Sequence, residues 1–436
     1  MLLPPSILSR VSRSSLLLFP LVLGAACGAA PPGEPQTTPG PAAHEASSLE
    51  AYWPRFHGPR GDNISDDEGL LRSWSEEGPP LAWTSEGIGY GYSSVAVADG
   101  MIYTAGNIGG STVISALDME GDLLWQVENG PAWTRSYEGT RGTPTIDEER
   151  LFHQSPLGQL TALDAKTGEQ LWTRNVLEDS AGDVIQWALA ESVLIDGERV
   201  ISTPGGREAS MVALDKRTGE VVWAAPPTGD QAGYASATLA TVDGLRMIIN
   251  MMSEGVIGVN ADTGELLWRF EHVTSHDCNA LKPIVHEDHV FVSSGYGSGS
   301  VMHRIDVDGQ QATIEELWRS GDLDNHHGGI VLYEGHLYGS THRGRWVCLD
   351  WETGETIYVE RGVGKGSLTL ADGMLYTLSE RQVMGLVEAT PEGHEVINSF
   401  RLPPGERGTS WAHPVVTGGR LYIRHGHRLF AYHLLP

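Results

Sequence analysis

Positive charge is scarce in this sequence. Its 436 residues include 29 Lys and Arg against 56 Asp and Glu, so the formal net charge is -27. Such a surface repels phosphate backbones and anionic lipid headgroups over a Debye length of roughly 8 Å. We therefore expect no nucleic-acid partner, and any contact with a membrane must arise from something other than charge.

Several enzyme and cofactor motifs are also missing. No Gly-x-Ser-x-Gly nucleophile elbow is present, which leaves hydrolase chemistry unsupported. Residues 362–367 (GVGKGS) place Gly after the Lys and do not form a phosphate-binding loop. His326 and His327 are adjacent, but adjacent residues of a strand point to opposite faces, and no Cys-x-x-Cys or similar metal spacing occurs. We predict no metal site, and the sequence assigns no catalytic residue.

The apolar run near the N-terminus, residues 16–23, is too short to span a membrane. It follows Arg10 and Arg13 and leads into small residues, which is the pattern of a secretory signal peptide over residues 1–26. We therefore expect an exported protein in the periplasm or on the cell-surface side of the outer membrane.

Residues 23–27 (LGAAC) resemble a bacterial lipobox, which implies that Cys27 carries a lipid and tethers the protein to the membrane. The alternative is ordinary cleavage near Ala26, which would release a soluble periplasmic protein. Residues 27–50 contain five prolines and no aromatic residue, so they cannot bury a core. They are predicted to form the lipid anchor and a Pro-rich tether.

The rest of the chain contains a repeat rich in Gly and Trp. With 54 Gly, 13 Trp and 40% hydrophobic residues, the composition is typical of a turn-rich β protein. Residues 163–172 (LDAKTGEQLW) recur as 214–223, 259–268 and 349–358, and looser copies end at Trp125, Trp318 and Phe400. In each full copy an Asp or Asn can bond its own backbone, and the Gly supplies the positive φ of a short bulged hairpin.

A second unit is a hairpin with an aromatic or β-branched anchor. Its anchors are Tyr103, Phe152, Ile201, Ile248, Phe291, Tyr338, Tyr376 and Tyr422, separated by 38 to 49 residues. Two hairpins per period give four strands, which is one propeller blade. The sequence therefore predicts an all-β fold, an eight-bladed β-propeller of four-stranded antiparallel blades over residues 81–436.

The two ends of this region predict how the ring closes. Residues 81–86 (LAWTSE) carry the Trp signature before the first hairpin, whereas the last hairpin, ending at residues 429–433, has no Trp strand after it. We expect the N-terminal strand to complete the last blade and so remove the free sheet edges. Residues 51–80 are left as a leader that packs on the propeller.

The Ala-Leu-Asp-x-x-Thr-Gly-x-x-x-Trp pattern resembles the tryptophan-docking unit of the PQQ-like (quinoprotein alcohol dehydrogenase-like) propeller family, from residue 81 to the C-terminus. Leader residues 53–62 (WPRFHGPRGD) resemble the opening of a lipoprotein or secreted branch of that family. The resemblance implies that a Trp of each outer strand wedges between neighbouring blades. These residues are Trp83, Trp125, Trp172, Trp223, Trp268 and Trp318.

The functional surface is expected where the innermost strand of each blade begins, because those loops converge on the central channel. The residues predicted there are Tyr92, Arg141, Trp187, Tyr234, Asp277, Asn279, His326, His327, Lys365, Trp411 and His413. They predict a funnel for a planar, sugar-like or anionic ligand, with Arg141 and Lys365 supplying charge and the aromatic rings stacking. The alternative is that these residues form hydrogen bonds between adjacent blades and fill the channel.

The resemblance leaves two functions open, because the family includes both BamB-like barrel-assembly lipoproteins and quinone-dependent dehydrogenases. In the dehydrogenases a disulfide between adjacent cysteines stacks on the quinone, and calcium polarises it. Cys27, Cys278 and Cys348 are not adjacent. We therefore predict a monomeric envelope lipoprotein that binds an envelope protein, a polysaccharide or a small planar ligand. The alternative is an oxidoreductase that uses pyrroloquinoline quinone (PQQ) with calcium on alcohols or sugars.

Overall fold

The computed structural model describes residues 49–405 and 408–436, and Cys27 with the predicted signal peptide lies outside them. The strands that precede the fourth blade are β1 (Ile64–Ser65), β2 (Leu81–Ser85), β3 (Ala96–Ala98), β4 (Met101–Ile108), β5 (Ser111–Asp118), β6 (Leu123–Pro131), β7 (Thr145–Asp147), β8 (Arg150–Gln154), β9 (Gln159–Asp164), β10 (Gln170–Asn175), β11 (Leu194–Asp196), β12 (Arg199–Ser202), β13 (Val212–Asp215) and β14 (Val221–Ala224). A short helix, α1 (Val176–Asp179), follows β10.

The remaining strands are β15 (Thr238–Val242), β16 (Leu245–Met251), β17 (Gly255–Asn260), β18 (Leu266–Glu271), β19 (Ile284–His286), β20 (His289–Ser294), β21 (Gly299–Asp308), β22 (Gln311–Ser320), β23 (Ile330–Tyr333), β24 (His336–Ser340), β25 (Arg345–Asp350), β26 (Thr356–Arg361), β27 (Gly366–Ala371), β28 (Met374–Ser379), β29 (Val383–Glu388), β30 (Val396–Arg401), β31 (Val415–Thr417), β32 (Arg420–His425) and β33 (Arg428–His433). A 3-10 turn spans Ser275–Asp277. Within the described ranges, the helical segments are too short and too polar to cross a bilayer.

Apart from β1, these strands form eight antiparallel blades of four strands each. Seven blades consist of four consecutive strands, from β3–β6 as the first to β27–β30 as the seventh, and the eighth combines β31, β32 and β33 with β2. β2 pairs antiparallel with β33, with Leu81 opposite Tyr432 and Trp83 opposite Ala431. The predicted propeller and its closure by the N-terminal strand are therefore confirmed.

The second strand of each blade carries the hydrophobic anchor that the repeat predicted. All eight anchors, from Tyr103 in β4 to Tyr422 in β32, are buried. Burying a large apolar side chain contributes about 1.5–3 kcal/mol before its entropic penalty is counted. Each blade therefore brings its own anchor to the interface with its neighbours.

The Trp of an outermost strand contacts the repeat turn of the next blade. Trp172 Nε1 donates to the carbonyl of Lys216 at 3.0 Å, and Gly219 in the same turn has a φ of +72°. A Cβ at Gly219 would lie 2.8 Å from the Trp172 ring, so Gly permits both the turn and the approach of the indole. Equivalent bonds join Trp83 to Met119, Trp125 to Lys166, Trp223 to Ala261 and Trp318 to Trp351.

Trp268, in the fourth blade, does not follow this pattern. Its Nε1 atom is buried without a hydrogen-bond partner among the described residues, and its ring stacks on Phe270 at a centroid distance of 6.0 Å. The hairpin of β21 and β22 in the next blade has ten residues in each strand, longer than its counterparts. A Cβ placed on Gly309, in its turn, would have no atom of the described residues within 4 Å apart from its chain neighbours. The longer hairpin therefore carries its turn beyond the reach of the Trp268 ring.

Leader residues run across the innermost strands. Trp53 exchanges two backbone hydrogen bonds with Val97 of β3, at 2.7 and 2.8 Å, and β1 pairs in parallel with β27. Lys282 Nζ donates to the carbonyl of Gly61 at 2.8 Å. These contacts join the leader to the first, fifth and seventh blades, and they bring Phe56 to the central channel.

Candidate ligand-binding site

A cavity of about 680 Å³ lies at the end of the channel where the innermost strands begin. Because successive strands of a blade run in opposite directions, the connection into its first strand and the turn between its second and third strands meet at this end. Small-molecule sites in proteins measure roughly 300–1,000 Å³, so the cavity is of a suitable size for one. Most of its lining is aromatic or apolar.

The structure brings most of the residues predicted from the sequence to this cavity. Its lining includes Tyr92, Arg141, Trp187, Tyr234, His326, His327, Lys365, Trp411 and His413. Asp277 and Asn279 lie elsewhere. Asp277 is exposed beside the cavity, whereas Asn279 is buried and donates to the carbonyls of Met252 and His272, both at 2.8 Å. Asn279 therefore joins segments of the backbone and does not face a ligand.

Several lining residues were not predicted. Tyr296, His342 and Glu380 come from the turns between the second and third strands of the fifth, sixth and seventh blades. The alternation of strand direction places these turns at the same end, but their sequences share no pattern that singles out a residue. Phe56 comes from the leader, and no repeat signal marks it.

One side of the cavity, here called the aromatic wall, consists of Tyr92, Tyr137, Arg141, Trp187 and Trp411. The ring centre of Trp411 lies 4.8 Å from that of Tyr92 and 4.9 Å from that of Tyr137. The ring centres of Tyr137 and Trp187 are 5.6 Å apart. Aromatic pairs at such distances hold one another in place, and all four of these rings line the cavity. A flat ligand can therefore stack on the aromatic wall.

Arg141 places a positive charge within the aromatic wall. Its guanidinium donates to the carbonyls of Gly139 at 2.9 Å and Tyr137 at 2.7 Å, and it lies 5.5 Å from the centre of the Tyr92 ring. Burial lowers the pKa of Arg141 from its ordinary value, yet an Arg side chain stays charged at neutral pH. Among the described residues no carboxylate pairs with it. A bound anion would supply that missing charge.

The opposite side, here called the histidine wall, consists of Cys278, Tyr296, His326, His327, His342, Lys365 and Glu380. His326 is at its centre, because its Nε2 atom lies 3.1 Å from the hydroxyl of Tyr296 and 3.7 Å from the Cys278 Sγ atom. The His326 and His342 ring centres are 5.1 Å apart. Burial raises the pKa of the Cys278 thiol to about 11, so the thiol remains protonated at neutral pH.

Glu380 connects the histidine wall to the aromatic wall. Its Oε1 atom accepts from Trp411 Nε1 at 2.8 Å, lies 3.0 Å from His327 Nε2 and pairs with Lys365 Nζ at 3.2 Å. Burial alone would raise the pKa of Glu380, but the bonds from His327 and Trp411 and the charge of Lys365 hold this pKa well below its usual range. Burial also lowers the pKa of His327, so we assign a neutral His327 that donates Nε2–H to an ionised Glu380.

His413 joins the base of the histidine wall to the leader. Its Nε2 atom lies 2.8 Å from the carbonyl of His327, and because a carbonyl only accepts, His413 carries its proton on Nε2. Its Nδ1 atom then accepts from His57 Nε2, 3.1 Å away. Burial lowers the pKa of His413 to about 4 and that of His57 well below its ordinary value, so both rings are neutral. His413, which the sequence predicted as a ligand contact, therefore also joins the base of the histidine wall to the leader.

Comparison with known proteins places this architecture among related sequences. The family model described as "Outer membrane protein assembly factor BamB" matches residues 109–360. A quinoprotein ethanol dehydrogenase of Pseudomonas aeruginosa is 32% identical over 167 residues, which cover 34% of this chain and 26% of that protein. The outer membrane protein assembly factor BamB of Kangiella koreensis is 26% identical over 212 residues, which cover 47% of this chain and 49% of that protein.

The fold also has a counterpart among solved structures. The crystal structure of BamB from Moraxella catarrhalis superposes with a TM-score of 0.60 at 16% identity, covering 82% of this chain and all of that one. At such low identity the likeness concerns the fold alone. The matches to the two curated relatives extend over about a quarter and about half of their lengths, so their whole activities do not transfer with the match.

Proposed function

Because the chain belongs to the PQQ-like propeller family whose model is described as outer membrane protein assembly factor BamB, we propose that it is a binding module of the cell envelope. Its central cavity would hold a small planar anion, such as an aromatic carboxylate. The observation that carries this proposal is the aromatic wall with Arg141, a half-buried cation that has no carboxylate partner among the described residues.

The charge and the ring faces of the aromatic wall support such a ligand. Trp187, Tyr137 and Trp411 offer ring faces for stacking, while Arg141 offers a charged donor. Charge-assisted hydrogen bonds to a carboxylate are roughly twice as strong as neutral ones, and burial in an aromatic site strengthens them further. A planar ligand with one or more carboxylates would satisfy both features.

The calcium-bound quinone of the dehydrogenases does not match the residues of this cavity. Calcium takes roughly six to eight oxygen ligands, with carboxylates prominent among them. Glu380 is the one carboxylate that lines the cavity in the described ranges, and it already pairs with Lys365, His327 and Trp411. Cys278 and Cys348 are free and lie in connections and strands of different blades, so they cannot form the disulfide between adjacent cysteines that stacks on the quinone.

A quinone-dependent oxidoreductase is the alternative, favoured by the similarity to a quinoprotein ethanol dehydrogenase over a third of the chain. In that case the cavity would take the quinone itself as its planar anion, and an alcohol or sugar would be the reductant. The two functions differ in turnover and not in the shape of the ligand. A binding experiment coupled to a redox assay therefore separates them.

The test uses the purified full-length protein in mild detergent. PQQ, which is a planar aromatic tricarboxylate, is titrated in by calorimetry, and quenching of Trp fluorescence is followed in parallel. Each titration is run with calcium and with a chelator, and is followed by dye reduction with ethanol and glucose. A benzene tricarboxylate and an uncharged aromatic of similar size serve as further probes.

The proposed binding module predicts one equivalent of bound PQQ with or without calcium, weaker binding of the uncharged aromatic, and no alcohol-dependent dye reduction. Dye reduction that depends on ethanol or glucose would instead establish the oxidoreductase. Absence of binding by every planar carboxylate would overturn the small-anion proposal.

We also propose that the protein is exported and anchored through a lipid on Cys27, as residues 23–27 suggest. The Cys27→Ser variant should then appear in the soluble periplasmic fraction, whereas the wild-type protein should partition into detergent with the membranes. Equal partitioning of the two proteins would contradict the lipid anchor.

A further inference from the structure

The histidine wall contains three buried imidazole nitrogens without partners. The Nδ1 atoms of His326, His327 and His342 have no hydrogen-bond partner among the described residues. Nearly all buried polar atoms in proteins have such a partner, so three exceptions in one wall call for an explanation. Burial lowers the pKa of His326 to about 2 and also lowers those of His327 and His342, so all three rings keep a free lone pair at neutral pH.

Two of these rings and one carboxylate lie close together. One nitrogen of His326, one nitrogen of His327 and one oxygen of Glu380 all lie within 4.8 Å of one another. Adjacent histidines would diverge on a strand, but His326 and His327 lie in the connection before β23, and their ring centres are 5.3 Å apart. A tetrahedral zinc ion with bonds of about 2.0–2.1 Å requires ligand separations of about 3.3 Å, which small side-chain rotations would produce.

We propose that His326, His327 and Glu380 form a binding site for a divalent cation of the zinc type. Two imidazoles and one carboxylate are a ligand set that zinc uses when it keeps a fourth position open. Calcium and magnesium prefer oxygen ligands throughout, so this set disfavours them. The thiol of Cys278, 3.7 Å from His326 Nε2, adds a soft donor beside the site, which also favours zinc.

Lys365 is the residue that opposes this site. Its ammonium pairs with Glu380 Oε1 at 3.2 Å and places a positive charge beside the ion. A bound cation would replace Lys365 as the partner of Glu380, and the long Lys side chain can turn away into the cavity. Removing the charge at residue 365 should therefore strengthen cation binding. The site does not depend on the planar ligand of the proposed function, and it is tested with the metal alone.

The test is equilibrium dialysis of the full-length, chelator-treated protein against Zn²⁺, with the bound metal measured by elemental analysis. Co²⁺ is used as a spectroscopic substitute, since tetrahedral Co²⁺ absorbs visible light strongly. We expect one Zn²⁺ per chain and a tetrahedral Co²⁺ spectrum. The His326→Gln and Glu380→Gln variants should each bind Zn²⁺ at least about 100-fold more weakly, the upper end of the loss that follows removal of a residue that only supports a ligand.

His394→Gln is the matched control. His394 is also a buried imidazole with an unpartnered nitrogen and a pKa lowered to about 4 by burial, but its ring stacks on Trp346 and it is not part of the cluster. This variant should bind Zn²⁺ as the wild-type protein does. Thermal unfolding of each variant shows whether it is folded.

The Lys365→Met variant supplies a result that misfolding cannot imitate. It should bind Zn²⁺ about tenfold more tightly than the wild-type protein, because a like charge near the ion is gone. Zn²⁺ uptake that persists in His326→Gln and Glu380→Gln, uptake that is lost in His394→Gln, or affinity unchanged by Lys365→Met would each overturn the proposed site. Absence of stoichiometric uptake by the wild-type protein would overturn it as well.

Discussion

The two walls of the central cavity are built from the same loop positions of successive blades, yet they carry different chemistry. The aromatic wall holds rings in mutual contact and one cation bonded to backbone carbonyls. The histidine wall holds neutral imidazoles, a thiol and an ionised carboxylate that pairs with Lys365. Trp411 belongs to the first and donates to Glu380 in the second.

This difference indicates that the propeller scaffold does not dictate what its channel binds. The aromatic wall offers donors and ring faces, which suit a planar anion. The histidine wall offers lone pairs, which suit a cation. The two walls should therefore respond independently to mutation and pH, and the following predictions test that independence.

Acid should lower the stability of the protein most strongly through His413, at the base of the histidine wall. The pKa of His413, at the base of the histidine wall, is lowered by burial to about 4, whereas an unfolded His titrates near 6.5. As pH falls below about 6.5, the unfolded chain therefore binds a proton at this residue that the folded chain does not bind, and stability is lost. For His413 alone, the free energy of unfolding should fall by about 2 kcal/mol between pH 7 and pH 5.

Chemical denaturation of the wild-type protein and of His413→Gln at the two pH values measures this effect. The variant should lose less stability on acidification than the wild-type protein does, by about 2 kcal/mol. Equal pH dependence of the two proteins would show that His413 is not held neutral. The aromatic wall has no group that titrates in this range, because burial raises the pKa of Tyr92 far above neutrality and Arg141 stays charged.

Removal of the Arg141 charge should weaken the binding of planar anions and leave the binding of Zn²⁺ unchanged. Arg141→Met keeps much of the side-chain volume but loses the charged donor, so the affinity for PQQ should fall by about 10- to 100-fold. Calorimetry measures the change. The matched control is Arg135→Met, because Arg135 is exposed and lies over Trp133 outside the cavity lining. If both variants bind PQQ as the wild-type protein does, Arg141 has no role in recognition.

A smaller effect is expected from the edge of the aromatic wall. Tyr137 is 53% exposed and lies between Trp187 and Trp411, so a ligand would cover only part of its ring. Tyr137→Leu should lower the affinity for PQQ by about two- to tenfold, in line with the loss of one aromatic contact. Quenching of Trp fluorescence measures this change in affinity. A loss as large as that of Arg141→Met would show that the ligand depends on the Tyr137 ring as much as on the Arg141 charge.

The fold could be predicted from the sequence because the repeat combines turn chemistry with packing. Gly219 illustrates this, since its turn needs a positive φ and its lack of a Cβ admits the Trp172 ring. The closing strand was predictable from Trp83, which carries the same signature at the other end of the chain. Trp268 shows the limit of this reasoning. Its own repeat is regular, but the length of the next hairpin, β21 and β22, decides whether it finds a partner.

The site could be predicted in part, through the residues that precede each innermost strand. Tyr296, His342 and Glu380 were missed because the turns that carry them have no common sequence pattern. The proximity of His326 to His327 was also missed, since both were assumed to lie on a strand, where they would point apart. Contacts between blades, such as that of Glu380 with His327, depend on how far each turn extends and are not encoded in any single repeat.

The independence of the two walls is tested most directly by measuring the dissociation constants of both PQQ and Zn²⁺ for Arg141→Met and His326→Gln. We expect a crossed result, in which Arg141→Met loses affinity for PQQ but still binds Zn²⁺, while His326→Gln still binds PQQ but loses affinity for Zn²⁺. Loss of both probes in either variant, or of neither probe in both variants, would contradict the division of the cavity into an anion-binding and a cation-binding wall.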